Sequence, residues 1–207
     1  HRRRLRALSG LALGIATALG IMLLPGTASA AVTCVVEGST MAVTASGADA
    51  ITLARAGTSI TVNGAACGSA SVTTIASISV VESIGANADQ TLTVDLSGGP
   101  LGPGSEAETG IAEIEISVDL GGGSDGVIVR GARTDDVLRW GTDGIAVNGD
   151  DDVDITVANA AALATRQLWG LGGNDVLTGQ GGSGTGSALA GSVSLRGGDE
   201  NDALTGG

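Results

Sequence analysis

The chain has 207 residues, among them 36 glycines, 22 carboxylates and 10 arginines, with no lysine, tyrosine or phenylalanine and a formal net charge of −12. That balance argues against nucleic acid and anionic membrane surfaces as partners and in favour of cations. With almost no aromatic side chains, the core has to be built from Val, Ile, Leu and Ala.

Arg2, Arg3, Arg4 and Arg6 precede an apolar stretch from Leu11 to Leu24, and Ala28-Ser29-Ala30 follows. This is the order of a secretory signal peptide over residues 1–30, cut before Ala31. A membrane anchor is the competing reading. Pro25, Gly26 and the small-residue site end the run where a peptidase would cut, and charge flanks only one side. Because four of the arginines belong to that segment and none of the carboxylates does, the chain from Ala31 on is more acidic still. The expected location is secreted and extracellular, with cell-wall association as one form of it, and no membrane span after cleavage. Cys34 and Cys67 then enter an oxidising compartment and are expected to form a disulfide across an N-terminal cap. Without a histidine beyond the signal they do not make a typical zinc site, and a reactive thiol pair is the alternative.

From Ala31 on, short alternating strands recur between Gly, Asn and Asp turns. They read MAVTA at 41–45, ITLA at 51–54, SITVNG at 59–64, SISVVESI at 77–84, TLTVDL at 91–96 and IEISVDL at 114–120. GVIVRG at 126–131, DVLRWG at 136–141, GIAVNG at 144–149, DITVANA at 154–160 and SVSLRGG at 192–198 continue them. Period-2 alternation of this kind predicts an all-β chain. Two architectures compete. An immunoglobulin-type sandwich relies on a buried Trp and a tyrosine corner, and no Tyr is present. A right-handed parallel β-helix or β-roll, a solenoid, needs stacked aliphatics inside and Gly, Asn or Asp at its corners, and is favoured, with about 20 residues per coil. Composition divides the mature chain into an N-terminal solenoid segment at 31–120, carrying the cap disulfide, and a Gly/Asp-rich repeat segment at 121–207. Residues 97–110, with two of the three prolines, predict a protruding loop.

Two segments share Asn-Asp-x-Leu-Thr-Gly in one frame: Gly170 to Gly179 and Gly197 to Gly207. The frame is Gly-Gly-x-Gly-x-Asp-x-apolar-x, so both segments resemble the hemolysin-type (RTX) calcium-binding repeat, and the layout of the chain resembles secreted proteins of that type from actinobacteria. The resemblance is close over these two segments and loose over the rest. It implies Ca2+ as the bound ion, with Gly172, Gly173, Asn174 and Asp175 in one turn and Gly198, Asp199, Asn201 and Asp202 in the other as ligands. Asp125 and Asp136 hold the repeat Asp position in weaker upstream copies. Glycines allow a tight turn with converging carbonyls, Asp supplies a carboxylate, and the next apolar residue enters the core. Leu171 and Glu200 stand where the repeat has glycine. Gly206-Gly207 opens another unit in frame, so the array is expected to continue past this sequence.

The competing reading is that such turns are solenoid corners, chosen for positive φ and for Asp capping its own backbone; it is preferred for Asp49, Asp89 and Asp143. Asp150, Asp151, Asp152 and Asp154 invite an EF-hand reading that fails at Ile155 and Ala161, where Gly and Glu are required. A solvated turn is expected there, with a peripheral calcium ligand as the minor option. Beyond the signal no His, Lys or Tyr remains for proton transfer, and no enzymatic activity is expected within this sequence. The expected function is calcium binding by an extracellular solenoid that folds on, or is stabilised by, the ion. A calcium-independent surface adhesin or structural solenoid, with a cell-surface glycan or protein as partner, is the alternative. A secreted enzyme with its catalytic domain downstream is the lesser one.

Overall fold

The computed structural model describes residues 31–107 and 110–207, so the signal-peptide reading lies outside the described residues. The alternation does form strands. β1 (Val32–Glu37) and β2 (Thr40–Ala45) make an antiparallel hairpin, and β3 (Ala50–Ala56), β4 (Ser59–Val62) and β5 (Ala65–Ser71) a meander beside it. Coils follow through β6 (Ser77–Glu82), β7 (Thr91–Asp95), β8 (Glu115–Asp119) and β9 (Gly126–Arg130). Next come β10 (Val137–Trp140), β11 (Ile145–Ala146), β12 (Ile155–Val157) and β13 (Thr165–Gly172). The last part holds β14 (Val176–Thr178), the small β15 (Gly181–Gly182) and β16 (Gly186–Ser187) ribbon, β17 (Ser194–Asp199) and β18 (Ala203–Thr205).

Among the described residues two long sheets result. One runs β1-β2-β6-β8-β12-β11-β10-β14-β18, the other β17-β13-β9-β7-β3-β4-β5. In the second, β3, β7, β9, β13 and β17 are successive parallel neighbours, which is the stacking of a β-solenoid. Pairing of β7 with β9 and of β8 with β12 carries the stack through residue 120. The coil is almost twice as long as the strand texture suggests, for Ile78 lies beside Ile116 and Ile116 beside Ile155. One turn must visit both sheets and pass two corner loops before it returns. The last coil is tighter, with Val176 beside Ala203.

Like residues stack on like. Met41, Ile78, Ile116 and Ile155 form a buried column in one sheet, and Leu53, Val94, Val129 and Leu168 form one in the other. Each such side chain contributes about 1.5–3 kcal/mol by leaving water, which lets aliphatics alone support the fold. Trp140 is fully buried in this core. Trp169 instead lies half-buried on the outer face, its ring between the guanidinium groups of Arg130 and Arg196 at 5.5 and 4.7 Å from its centroid. At the N-terminal end Cys34 of β1 and Cys67 of β5 form a disulfide, joining the terminal strands of the two sheets.

The parallel order is broken after β9. There the chain enters the first sheet as β10, folds back antiparallel as β11, and folds back again as β12 before rejoining the parallel stack beside β8. The turn between β11 and β12 carries the acidic run.

Candidate metal centre

Asn148, Asp150, Asp152 and Asp154 recur at every second position of that turn, a spacing that sends alternate side chains of an extended segment the same way. Local hydrogen bonds fix the turn. The Asp150 amide donates to Asn148 Oδ1 at 2.8 Å, and the Val147 amide donates to Asp154 Oδ2. The coil before β8 meets it there. Ile111 N donates to Asp150 Oδ2 at 2.7 Å, and Asn148 Nδ2 donates to Glu113 Oε1 at 2.9 Å and to Asp154 Oδ1 at 3.5 Å. Gly110, at φ +120°, permits this approach, because a Cβ on it would stand 2.6 Å from Asp150 Oδ2.

Glu113, Asp150, Asp152 and Asp154 thereby place one carboxylate oxygen each within 4.8 Å of one another. That distance has a meaning: oxygens about 2.4 Å from a shared calcium stand at most about 4.8 Å apart. Glu113 and Asp154 are buried, at 8% and 2% exposure. The solvated turn expected from the sequence is thus half-closed by Glu113 from the neighbouring coil. Burial alone would raise the Asp150 carboxyl; hydrogen bonds with Asp152 and the Ile111 amide, and the Arg139 charge, outweigh it and hold the group below the usual carboxylate range. Arg139 also donates to the Asp150 carbonyl.

The repeat-turn residues form a second arrangement. Asp202 Oδ1 accepts from the Asp175 amide at 3.1 Å, and Asp175 Oδ1 accepts from the Asp136 amide at 2.9 Å, so the three aspartates climb the solenoid as a ladder. Beside it Asp135 Oδ1 accepts from the Asn174 amide at 2.8 Å, and Asn201 Nδ2 reaches Asn174 Oδ1 at 3.5 Å. Gly172 and Asp199 are register partners at the ends of β13 and β17. Leu171 and Gly198 are likewise partners and have φ of +82° and +123°; Gly173 and Glu200 have +115° and +81°. The second and fourth positions of the repeat are therefore left-handed in both turns, whichever residue occupies them. Asp125 lies just before β9 of the other sheet, where its Oδ1 accepts from the Gln90 amide at 2.8 Å. Among the corner residues, Asp89 Oδ1 accepts from the Ser124 amide and Asp49 Oδ2 from the Gly47 amide.

Asp175 is buried and its carboxyl is pushed up, first by desolvation and then by the charges of Asp202 and Asp135. Asp136 is pushed up to about 6, mainly by desolvation, with Asp175 and Asp135 adding to it and the Ala132 amide opposing.

The structure brings together Asp136, Asp175 and Asp202, leaves Asp125 apart, and adds a four-carboxylate group whose Glu113 the sequence does not mark. The alternation from Asn148 to Asp154 is the available signal; Glu113, far from it along the chain, carries none. Among the described residues no helix is long and apolar enough to cross a membrane. No protein-family model, curated protein or solved structure matches the chain. What fold and site define is a β-solenoid with an acidic group able to hold a metal ion.

Proposed function

We propose that this chain is a calcium-binding module of an exported β-solenoid, stabilised by the ion rather than acting as a catalyst. The observation that carries the reading is the convergence of Glu113, Asp150, Asp152 and Asp154 within the span of a single coordination sphere. Hard carboxylate oxygens in this number suit calcium, which takes six to eight oxygens in flexible geometry, better than magnesium, which keeps an octahedron of mostly water. The signal-like start and the Cys34–Cys67 bridge support an extracellular setting. There, affinities around 10⁻⁴–10⁻³ M suffice.

The resemblance of the turns at 170–179 and 197–207 to the hemolysin-type repeat supports a second reading, in which calcium binds the repeat turns. The specific observation in its favour is the buried Asp175 carboxyl between Asp136 and Asp202, with desolvation and neighbouring negative charge both raising it. Titration calorimetry with calcium separates the two. Asp152→Asn with Asp154→Asn should abolish the main binding event, and Asp175→Asn with Asp202→Asn should leave it within about twofold. The reverse pattern assigns the ion to the repeat turns, and no heat in the wild type removes calcium from the account.

A further inference from the structure

A cavity of ≈ 480 Å³ lies between residues 100–103 and 111–114, the turn after β9 and the turn between β11 and β12. Its walls are aliphatic, with Val94, Leu96, Leu101, Ile114, Ile116 and Ile155 among them. Pro100, Pro103 and the half-exposed Ile111 belong to the loop that crosses it. The volume is that of a small-molecule site, and the composition matches too, a mostly apolar surface with few polar groups.

The charged groups among them have one sign. The charged residues lining the cavity are Glu113, Asp136 and Asp154, joined by the neutral Asn148 and Thr134, and among the described residues no arginine lines it. We propose that this cavity binds a small aliphatic ammonium compound, its hydrocarbon body against Leu96, Leu101 and Ile114 and its charged head against Glu113 and Asp154. A carboxylate-headed ligand would meet repulsion, and a neutral alcohol could donate a hydrogen bond to a carboxylate but would bring no opposite charge to it. A bound calcium ion does not invert this preference, since four carboxylates outnumber its two charges even with Arg139 beside Asp150. The proposal therefore stands apart from the calcium reading, although an ion on Glu113 and Asp154 would compete with the ammonium head.

Calorimetry of the protein in EDTA with n-hexylammonium, n-hexanol and n-hexanoate tests it without any variant. Hexylammonium should bind at least about tenfold tighter than hexanol, a difference of ~1.4 kcal/mol, and hexanoate should not bind. Equal affinity for the amine and the alcohol, tighter binding of hexanoate, or no binding of the amine would overturn the proposal. Glu113→Gln should lower the amine affinity about tenfold and leave hexanol unchanged, with circular dichroism reporting the fold. A repeat in excess calcium should weaken the amine several-fold if the ion shares these carboxylates. Where calorimetry shows calcium binding that Glu113→Gln weakens, an amine affinity that this calcium leaves unaltered would contradict the placement of the head at Glu113 and Asp154.

Discussion

Asn148 Nδ2 donates to Glu113 Oε1 at 2.9 Å, and through that bond the turn between β11 and β12 is tied to the coil that leads into β8. The same amide reaches Asp154 Oδ1, so a neutral side chain holds two carboxylates together that would otherwise repel. Asn148→Ala should leave the fold intact and weaken calcium about tenfold, because Glu113 would no longer be oriented before the ion arrives. An unchanged affinity in calorimetry would show that the ion alone assembles the group.

The aspartate ladder predicts a pH dependence. The carboxyl of Asp136 is raised to about 6 from an ordinary 3.8, so its neutral form is favoured by folding. Its contribution to stability is fully present below about pH 3.8 and is lost as pH rises through about 6. Asp175 is shifted in the same direction. Asp136→Asn keeps an acceptor for the Ala132 amide and removes the charge. At pH 7 in EDTA it should stabilise the protein, on the order of 1 kcal/mol once solvent screening of a half-exposed group is allowed for, and at pH 4 it should do much less. Denaturant melts at both pH values check this, and a constant effect of the substitution would contradict it.

Glu200 is an exposed side chain held at φ +81° in a turn that otherwise favours glycine. For a non-glycine residue the left-handed region costs roughly 1 kcal/mol. Glu200→Gly should therefore stabilise the last coil in a thermal melt, while Gly198→Ala should destabilise it, since a Cβ there would stand 2.3 Å from the Leu171 carbonyl oxygen.

The disulfide joins the terminal strands of both sheets and closes a loop with a sequence separation of 33. Chain-entropy arguments give such a link roughly 3–4 kcal/mol. Replacing both cysteines by serine should lower the thermal midpoint by several degrees and free the hairpin of β1 and β2 first, which hydrogen exchange would register as faster exchange confined to β1, β2, β4 and β5.

Much of the fold can be read along the chain where strands such as β6 and β7 alternate: Ile78, Val80, Leu92 and Val94 point inward and Ser77, Ser79, Thr91 and Thr93 outward. β13 has no such signature. Its sequence, TRQLWGLG, mixes Arg, Gln and Gly, and it is held as a strand by parallel neighbours on both sides rather than by its own pattern. Coil length is illegible for a related reason, since strand-and-turn texture does not say how many strands complete one circuit. The left-handed positions of Leu171 and Glu200 are visible only through the repeat frame. The acidic group is half legible. Asp150, Asp152 and Asp154 announce themselves by spacing, whereas Glu113 is brought to them by the antiparallel insertion of β11, a topological event with no local signature.

The central claim is that calcium stabilises this solenoid through the group around Asp152, and thermal unfolding followed by circular dichroism in EDTA and in about 5 mM calcium tests it most directly. With a dissociation constant of about 0.3 mM the ion should add about 1.7 kcal/mol and raise the midpoint by several degrees. The gain should disappear in the Asp152→Asn, Asp154→Asn variant. Identical midpoints with and without calcium in the wild type would contradict the account.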